Sequence, residues 1–267
     1  MIAHLSDLHF GREDGVLLEV LREELRELRP ALVVVSGDLT QRARRREFEA
    51  ARVFLDEIAA PKVVVPGNHD IPLFDVLRRL FRPLARYQRQ VTPELLPFAR
   101  IGRLAVLGVN TARPSLWKGG RLSLAQIEAI RERFCAIPDD SFKVLVTHHP
   151  FLPPSARPAT ALVGRGLAGL LAAERCGVDL LLAGHLHVGY AGDVRSHHVT
   201  IRRAILVAQA GTLSRRTRGE VASYNQVHLE LEPPRLGIAL RAWDGRGFRT
   251  AETVRFVKQE GLWRPRD

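Results

Sequence analysis

The chain reads as an α/β protein built from two packed, mixed β-sheets flanked by helices. Three observations predict this. Short apolar runs recur at Ile2–Leu5, Leu32–Val35, 63–65, 144–146 and Leu180–Ala183, and runs of that length bounded by turn residues are those of buried strands. Amphipathic stretches alternate with the early runs, as helical crossovers between strands require. From Val194 the pattern becomes strand-rich with no clear helix, so the C-terminal part, about 194–267, reads as meandering strands.

The first run leads into residues 15–29, where Leu17, Leu21, Leu25 and Leu28 fall at helical spacing until Pro30 stops the pattern. The same βαβ logic repeats through Leu32–Val35, a helix over residues 48–58, Pro61 and a strand at 63–65. Residues 72–90 then predict a basic amphipathic helix. Leu73, Leu77, Leu80, Phe81 and Leu84 fall on one side, with Arg78, Arg79, Arg82, Arg86 and Arg89 elsewhere. Strands at Phe98–Ile101 and 104–109, joined by a Gly102-Arg103 turn, open a second layer. Ser123 and Gln126 make a capping-box pattern that starts a helix to about Phe134, ahead of a strand at 143–146. A helix near 162–174 leads to a strand at 178–182, and Pro233-Pro234 and Asp244-Gly245 mark turns among the last strands. No repeat, low-complexity tract or long linker interrupts the chain, which is expected to form one domain over residues 1–267.

Composition excludes several classes. With 46% hydrophobic and 26% charged residues in 267, the chain can bury a full core and is not mostly disordered. No apolar stretch reaches membrane-spanning length. The first candidate ligand, Asp7, follows a strand starting at Ile2, which leaves a cleavable signal peptide nowhere to sit, so a cytoplasmic location is expected. Cys135 and Cys176 lie in apolar, helix-like segments without CxxC spacing and are expected to be reduced core thiols. A net charge of +11 suits an anionic partner such as nucleic acid, nucleotide or lipid headgroup. Only four of the 40 basic residues are lysines (Lys62, Lys118, Lys143 and Lys258), a skew that coding bias explains as well as function does.

Directly after the apolar runs stand five islands of metal-binding side chains: Asp7-Leu8-His9, Gly37-Asp38, Gly67-Asn68-His69-Asp70, His148-His149-Pro150 and Gly184-His185-Leu186-His187. An open α/β sheet builds its site just beyond its strand ends. Asp7 and His9 can reach one cation if the backbone turns between them. Asp38 has two oxygens and can bridge two metals, which a histidine cannot. Asn68 adds a neutral oxygen donor, while Gly37 and Gly67 allow a tight exit from the strand.

This ordered set resembles the calcineurin-like metallophosphoesterase family, from Met1 to about Leu213. The stretches Asn110-Thr111-Ala112-Arg113 and Gly120-Arg121-Leu122-Ser123 are similar to the branch of bacterial cyclic-nucleotide phosphodiesterases and glycerophosphodiesterases. The resemblance implies a four-layer α/β/β/α sandwich and two metal ions. Asp7, His9, Asp38 and His187 would hold one, and Asp38, Asn68, His148 and His185 the other. Nitrogen and oxygen ligands without thiolates suit Mn, Fe or Zn. Two such ions, roughly 3.5–4 Å apart, share a water and aim the resulting bridging hydroxide at phosphorus. His69 is then placed to stabilise or protonate the leaving oxygen, and Asp70 either to orient that imidazole or to cap the turn.

Around this centre, His149 is expected to pack or to orient the phosphate. Arg12, Arg113, Arg215, Arg216 and Arg218 lie near motif loops as candidate substrate contacts, and Arg42, Arg44, Arg45 and Arg46 open the helix after Asp38. His4, His197 and His198 are read as structural, the last two in a strand or hairpin. The expected substrate is a small anionic phosphoester, with a cyclic nucleotide or glycerophosphodiester leading. A lipid-linked phosphoester or pyrophosphate, reached by peripheral membrane contact through residues 72–90, comes second. A nuclease is third, because no aromatic stacking tract or helix-turn-helix accompanies the charge. A non-catalytic binding module should have lost ligands, whereas all seven and His69 are present.

Overall fold

The computed structural model describes residues 1–154, 159–198 and 200–266. Strand β1 (Ile2–Leu5) enters helix α1 (Gly15–Leu28), whose first turn is capped by the Asp14 side chain accepting from Val16 and Leu17 N. Leu17, Leu21 and Leu25 are buried, which sets that side of α1 against the sheet. Strand β2 (Leu32–Val35), helix α2 (Arg45–Asp56) and strand β3 (Lys62–Val64) repeat the unit. β1, β2 and β3 run parallel, so their C-terminal ends share one edge.

Residues 72–90 depart from expectation. They form two short helices, α3 (Val76–Phe81) and α4 (Ala85–Gln90), separated at Arg82, which has φ −144° and ψ 57°. The cause is Pro83, which lacks an N–H and disfavours helical backbone in the residue before it.

The second layer follows as predicted. It comprises β4 (Phe98–Ile101), β5 (Leu104–Gly108), α5 (Leu124–Cys135), β6 (Phe142–Val146), α6 (Gly166–Arg175) and β7 (Leu180–Ala183). Ser123 and Gln126 form the expected capping box at the start of α5. Strands β8 (Tyr190–Asp193) and β9 (Leu206–Gln209) complete that sheet in the order β4-β5-β6-β7-β9-β8. Strands β10 (Ser223–Leu231), β11 (Pro234–Trp243), β12 (Phe248–Gln259) and β13 (Leu262–Arg266) return to the first sheet, in the order β13-β12-β11-β10-β1-β2-β3. His197 and His198 lie at the end of a 3-10 turn, not in a strand, and His198 Nε2 is 3.0 Å from Phe151 O.

Alternation along the strands explains the layering. Ile2, Leu32, Val34, Val106, Val144 and Leu182 pack between the sheets, whereas Ala3, Leu5, Val33 and Val35 meet α1 and α2. Ala105, Leu145 and Leu181 turn the other way, onto the Phe134 and Leu170 side chains of α5 and α6. This is the four-layer sandwich. His4 sits buried between the sheets, with Nε2 2.9 Å from Ser36 Oγ, and is structural as expected.

A further expectation is corrected. Cys135 and Cys176 are not free thiols but a disulfide, with their Cα atoms 4.6 Å apart. α5 and α6 pack side by side, which brings their C-terminal ends together although the cysteines are 41 residues apart in sequence. Among the described residues, no helix is long and apolar enough to cross a membrane.

Candidate metal centre

Five strand ends deliver the islands to one place: β1, β2 and β3 from one sheet, β6 and β7 from the other. The backbone has to turn sharply to do so. Asp7, His9, Asp38, His185 and His187 hold φ angles of 54, 44, 50, 74 and 60°, in the left-handed region that side-chain-bearing residues rarely adopt. Glycine is needed where the loops touch. A Cβ on Gly67 would lie 2.1 Å from Asp38 Oδ1, and one on Gly37, at φ +96°, would lie 2.6 Å from His148 Nδ1.

Asp7 divides its oxygens. Oδ2 accepts from Ser6 Oγ (2.6 Å) and His185 N (2.9 Å). Oδ1 is buried without a hydrogen bond, facing His187 Nε2 at 3.0 Å and His9 Nε2 at 3.5 Å. Those two histidine nitrogens are themselves 3.3 Å apart. Asp38 straddles the centre, with Oδ2 3.8 Å from His9 Nε2 and Oδ1 3.4 Å from His148 Nε2. Around His148 Nε2 lie Asn68 Oδ1 and His185 Nδ1, each at 3.3 Å.

This donor set fits a cation. His148 donates its Nδ1 proton to Ser36 O (2.7 Å) and His187 its own to Arg216 O, so both rings turn Nε2 inward at carboxylate oxygens. Buried carboxylates facing imidazole nitrogens need positive charge between them, from a proton or from a metal ion. The electrostatics carry the same demand. Burial opposes charge on His148, yet the Asp38 and Asp7 carboxylates raise its pKa to about 9. Burial would raise Asp7 and Asp38, but His187 and His148 respectively pull both below the usual carboxylate range. His185 is lowered to about 3 by burial and by neighbouring His148. Three trios of ligand atoms converge, Asp7/His9/His187, Asp7/Asp38/His148 and His148/His149/His185, all of nitrogen or oxygen.

The remaining candidates separate. His69 Nδ1 donates to Gln41 O (2.8 Å), and its Nε2 accepts from Arg216 Nη1 at 2.5 Å. Burial lowers the His69 pKa against the opposing Asp38 charge. Asp70 does not touch that ring. Its carboxylate accepts from Leu39 N, Thr40 N, Thr40 Oγ1 and Gly67 N, tying the β2 and β3 loops together, so the tautomer is set by a backbone carbonyl and Asp70 is the turn cap. Burial and the nearby Asp38 charge raise the Asp70 pKa to about 7. His149 is buried, Nδ1 2.8 Å from Thr111 Oγ1 and Nε2 unpartnered, its ring against those of His148 and His185.

Above the centre opens a cleft of about 330 Å³, lined by Gln41, Arg42, Asn68, His69, Ile71, Leu73, Trp117, Lys118, His185, Arg216 and Arg218. Arg12 is exposed and Arg113 donates to Asn110 O, Ala112 O and Gln126, and neither lines this cleft. Of the arginines after Asp38, only Arg42 does. Sequence reasoning missed Trp117, Leu73 and Gln41. The one available signal was that Trp117-Lys118 lies one residue before the Gly120-Arg121 stretch already singled out.

Comparison with known proteins agrees with this geometry. The calcineurin-like phosphoesterase family matches residues 1–189. The glycerophosphodiester phosphodiesterase GpdQ of Enterobacter lignolyticus is 35% identical over 82 residues, 26% of this chain and 29% of that protein. The match thus spans less than a third of that relative's length. A probable cyclic nucleotide phosphodiesterase of Synechococcus is 26% identical over 204 residues, 71% of this chain and 74% of the relative. Purple acid phosphatase PPD1 from yellow lupin seeds superposes with a TM-score of 0.71 at 12% identity, covering 93% of this chain and 52% of that one, which shows the shared fold. The chain belongs to the calcineurin-like phosphoesterase family.

Proposed function

We propose that the protein is a binuclear metallophosphodiesterase acting on a small anionic diester, with Asp38 as the bridging ligand. The observation that carries this reading is the placement of Asp38, one oxygen toward His9 and the other toward His148, with nitrogen and oxygen ligand atoms converging on both sides. Asp7, His9, Asp38 and His187 form one shell and Asp38, Asn68, His148 and His185 the other. The all-nitrogen-and-oxygen set suits Mn, Fe or Zn. Such ions, when bound, supply Lewis acidity toward the phosphoryl oxygens and acidify water.

The protein groups do the rest. His69 Nε2 and the Arg216 guanidinium meet at one point of the cleft, so an entering phosphate competes with the imidazole for the arginine. Once Arg216 turns to the phosphate, Nε2 is free to take a proton from solvent water and pass it to the leaving oxygen, while Gln41 O holds the ring by Nδ1. Arg42, Lys118 and Arg218 supply further positive charge along the cleft. The named activities of the two relatives favour a cyclic nucleotide or a glycerophosphodiester as the substrate.

A panel of monoesters, cyclic nucleotides, glycerophosphodiesters, sugar-nucleotide diphosphates and single-stranded DNA, assayed with chelated and metal-reconstituted protein, tests the reading. Metal-dependent turnover greatest on a small diester is the expected result. Preference for monoesters, pyrophosphates or DNA would overturn the substrate class.

A further inference from the structure

A surface helix normally turns its apolar side chains inward and its charges to water; α3 does the reverse. Its Arg79 is only 7% exposed and donates through Nε to Pro114 O (2.7 Å), through Nη1 to Pro72 O (3.1 Å) and through Nη2 to Leu116 O (3.0 Å). The guanidinium carbon also lies 5.5 Å from the centre of the Trp117 ring. These contacts pin α3 to the loop 112–119 by its arginine. The apolar side chains are left outside: Phe74 is 76% exposed, Leu77 71%, Phe81 78% and Trp117 66%, joined by Val76 and Leu80. Single exposed apolar residues are ordinary, but four on one short helix, joined by Phe74 just before it and Trp117 on the loop it grips, make a patch that needs a partner.

Charge selects that partner. The patch is rimmed by Arg42, whose guanidinium lies 5.7 Å from the Phe74 ring, and by Arg78, Arg82 and Lys118. Among the described residues the acidic group paired within this rim is Asp75, 3.0 Å from Arg78. A second copy laid on the patch would set one cationic rim against another in a chain already carrying +11. A bilayer with anionic headgroups supplies apolar depth for the phenylalanine and leucine side chains, an interfacial level for tryptophan, and phosphates for the arginines.

We propose that the α3 face docks the protein on an anionic lipid surface. Leu73, Trp117, Lys118 and Arg42 line the catalytic cleft and stand beside the patch, so docking sets the cleft opening at headgroup level. The inference does not rest on the proposed metal or substrate, and its test uses neither.

The whole chain is sedimented with vesicles of phosphatidylcholine alone and of phosphatidylcholine with phosphatidylglycerol. Binding to the anionic vesicles, weak binding to the neutral ones and a decline with salt are expected. The double variant Leu77→Glu, Phe81→Glu should bind roughly ten-fold more weakly or worse. Leu167→Glu, at an exposed apolar position on α6, should bind as the parent does. Brominated acyl chains should quench tryptophan fluorescence in the parent but not in Trp117→Phe, since Trp263 is buried and Trp243 only partly exposed. Three results would each overturn the proposal: no binding to anionic vesicles, equal binding by the double variant, or a dimer in solution that the double variant dissociates without any vesicle binding.

Discussion

At the strand ends Asp7, Asp38, His148 and His187 are almost wholly buried on a backbone held left-handed at three of the four, whereas α3 buries an arginine and leaves its apolar side chains in water. Both regions depart from the pattern that makes a sequence fold well, but the departures resolve differently. At the centre, buried nitrogen and oxygen atoms lie within 4.8 Å of one another in each trio, and Asp7 Oδ1 among them has no hydrogen bond, so a small cation inside the protein would satisfy them. On α3 every polar atom of Arg79 is satisfied and the exposed surface is apolar, so what resolves it must come from outside. Buried polar frustration thus marks an internal ligand site, and exposed apolar frustration marks an external contact.

The sharpest break of this comparison is at Asp38. Asp38→Asn keeps the shape but halves the charge sharing between the two shells, and turnover should fall on the order of 10³-fold or more. Steady-state kinetics with metal content measured on the same sample checks it, and loss of turnover with full metal content would remove Asp38 from its bridging role. Next in size is the His69–Arg216 pair. His69→Ala should keep fold and metal and lose roughly 10²-fold on an alkyl leaving group, but far less on a nitrophenyl one that leaves unaided. Arg216→Gln should depress both substrates alike, by roughly ten-fold or more, because it acts on the phosphate. Identical leaving-group profiles for the two variants would merge their roles.

On the α3 side the expected effects are on stability. Arg79→Met removes three charge-assisted bonds to carbonyls and should cost roughly 2–4 kcal/mol, read from denaturant unfolding. An unchanged midpoint would mean that α3 is held by other contacts. Smallest is the effect of steering charge. Arg42→Gln should lower kcat/KM a few-fold at low ionic strength and hardly at high, roughly as screening predicts. Arg45, paired to Glu49 at 2.7 Å, and exposed Arg46 lie outside the cleft, and their joint replacement by Gln should change nothing measurable. A loss equal to that of Arg42 would restore the whole arginine run to a functional role.

What could be read from the sequence follows the same division. The order of the islands and their places after short apolar runs predict strand ends, and Asp7, His9, Asp38, Asn68, His148, His185 and His187 do meet. The left-handed backbone that lets them meet leaves no mark, because aspartate and histidine stand where glycine would be the signal. Asp70 was ambiguous because neighbours in sequence need not be partners in space; it ties the loops after two consecutive strands, reaching Thr40 30 residues away. For α3, the spacing of Leu73, Leu77, Leu80 and Phe81 defines an apolar side but not the direction it faces. That depends on the carbonyls of Pro114 and Leu116, which only tertiary packing supplies. Cys135 and Cys176 are likewise unreadable until α5 and α6 lie side by side.

The strand-end site is proposed to hold two cations across Asp38. Metal analysis and anomalous diffraction on protein reconstituted with manganese test it most directly. Two ions per chain are expected, with Asp38 contacting both, Asp7, His9 and His187 on one, and Asn68, His148 and His185 on the other. A single ion, with Asn68, His148 and His185 left uncoordinated at saturating metal, would contradict it.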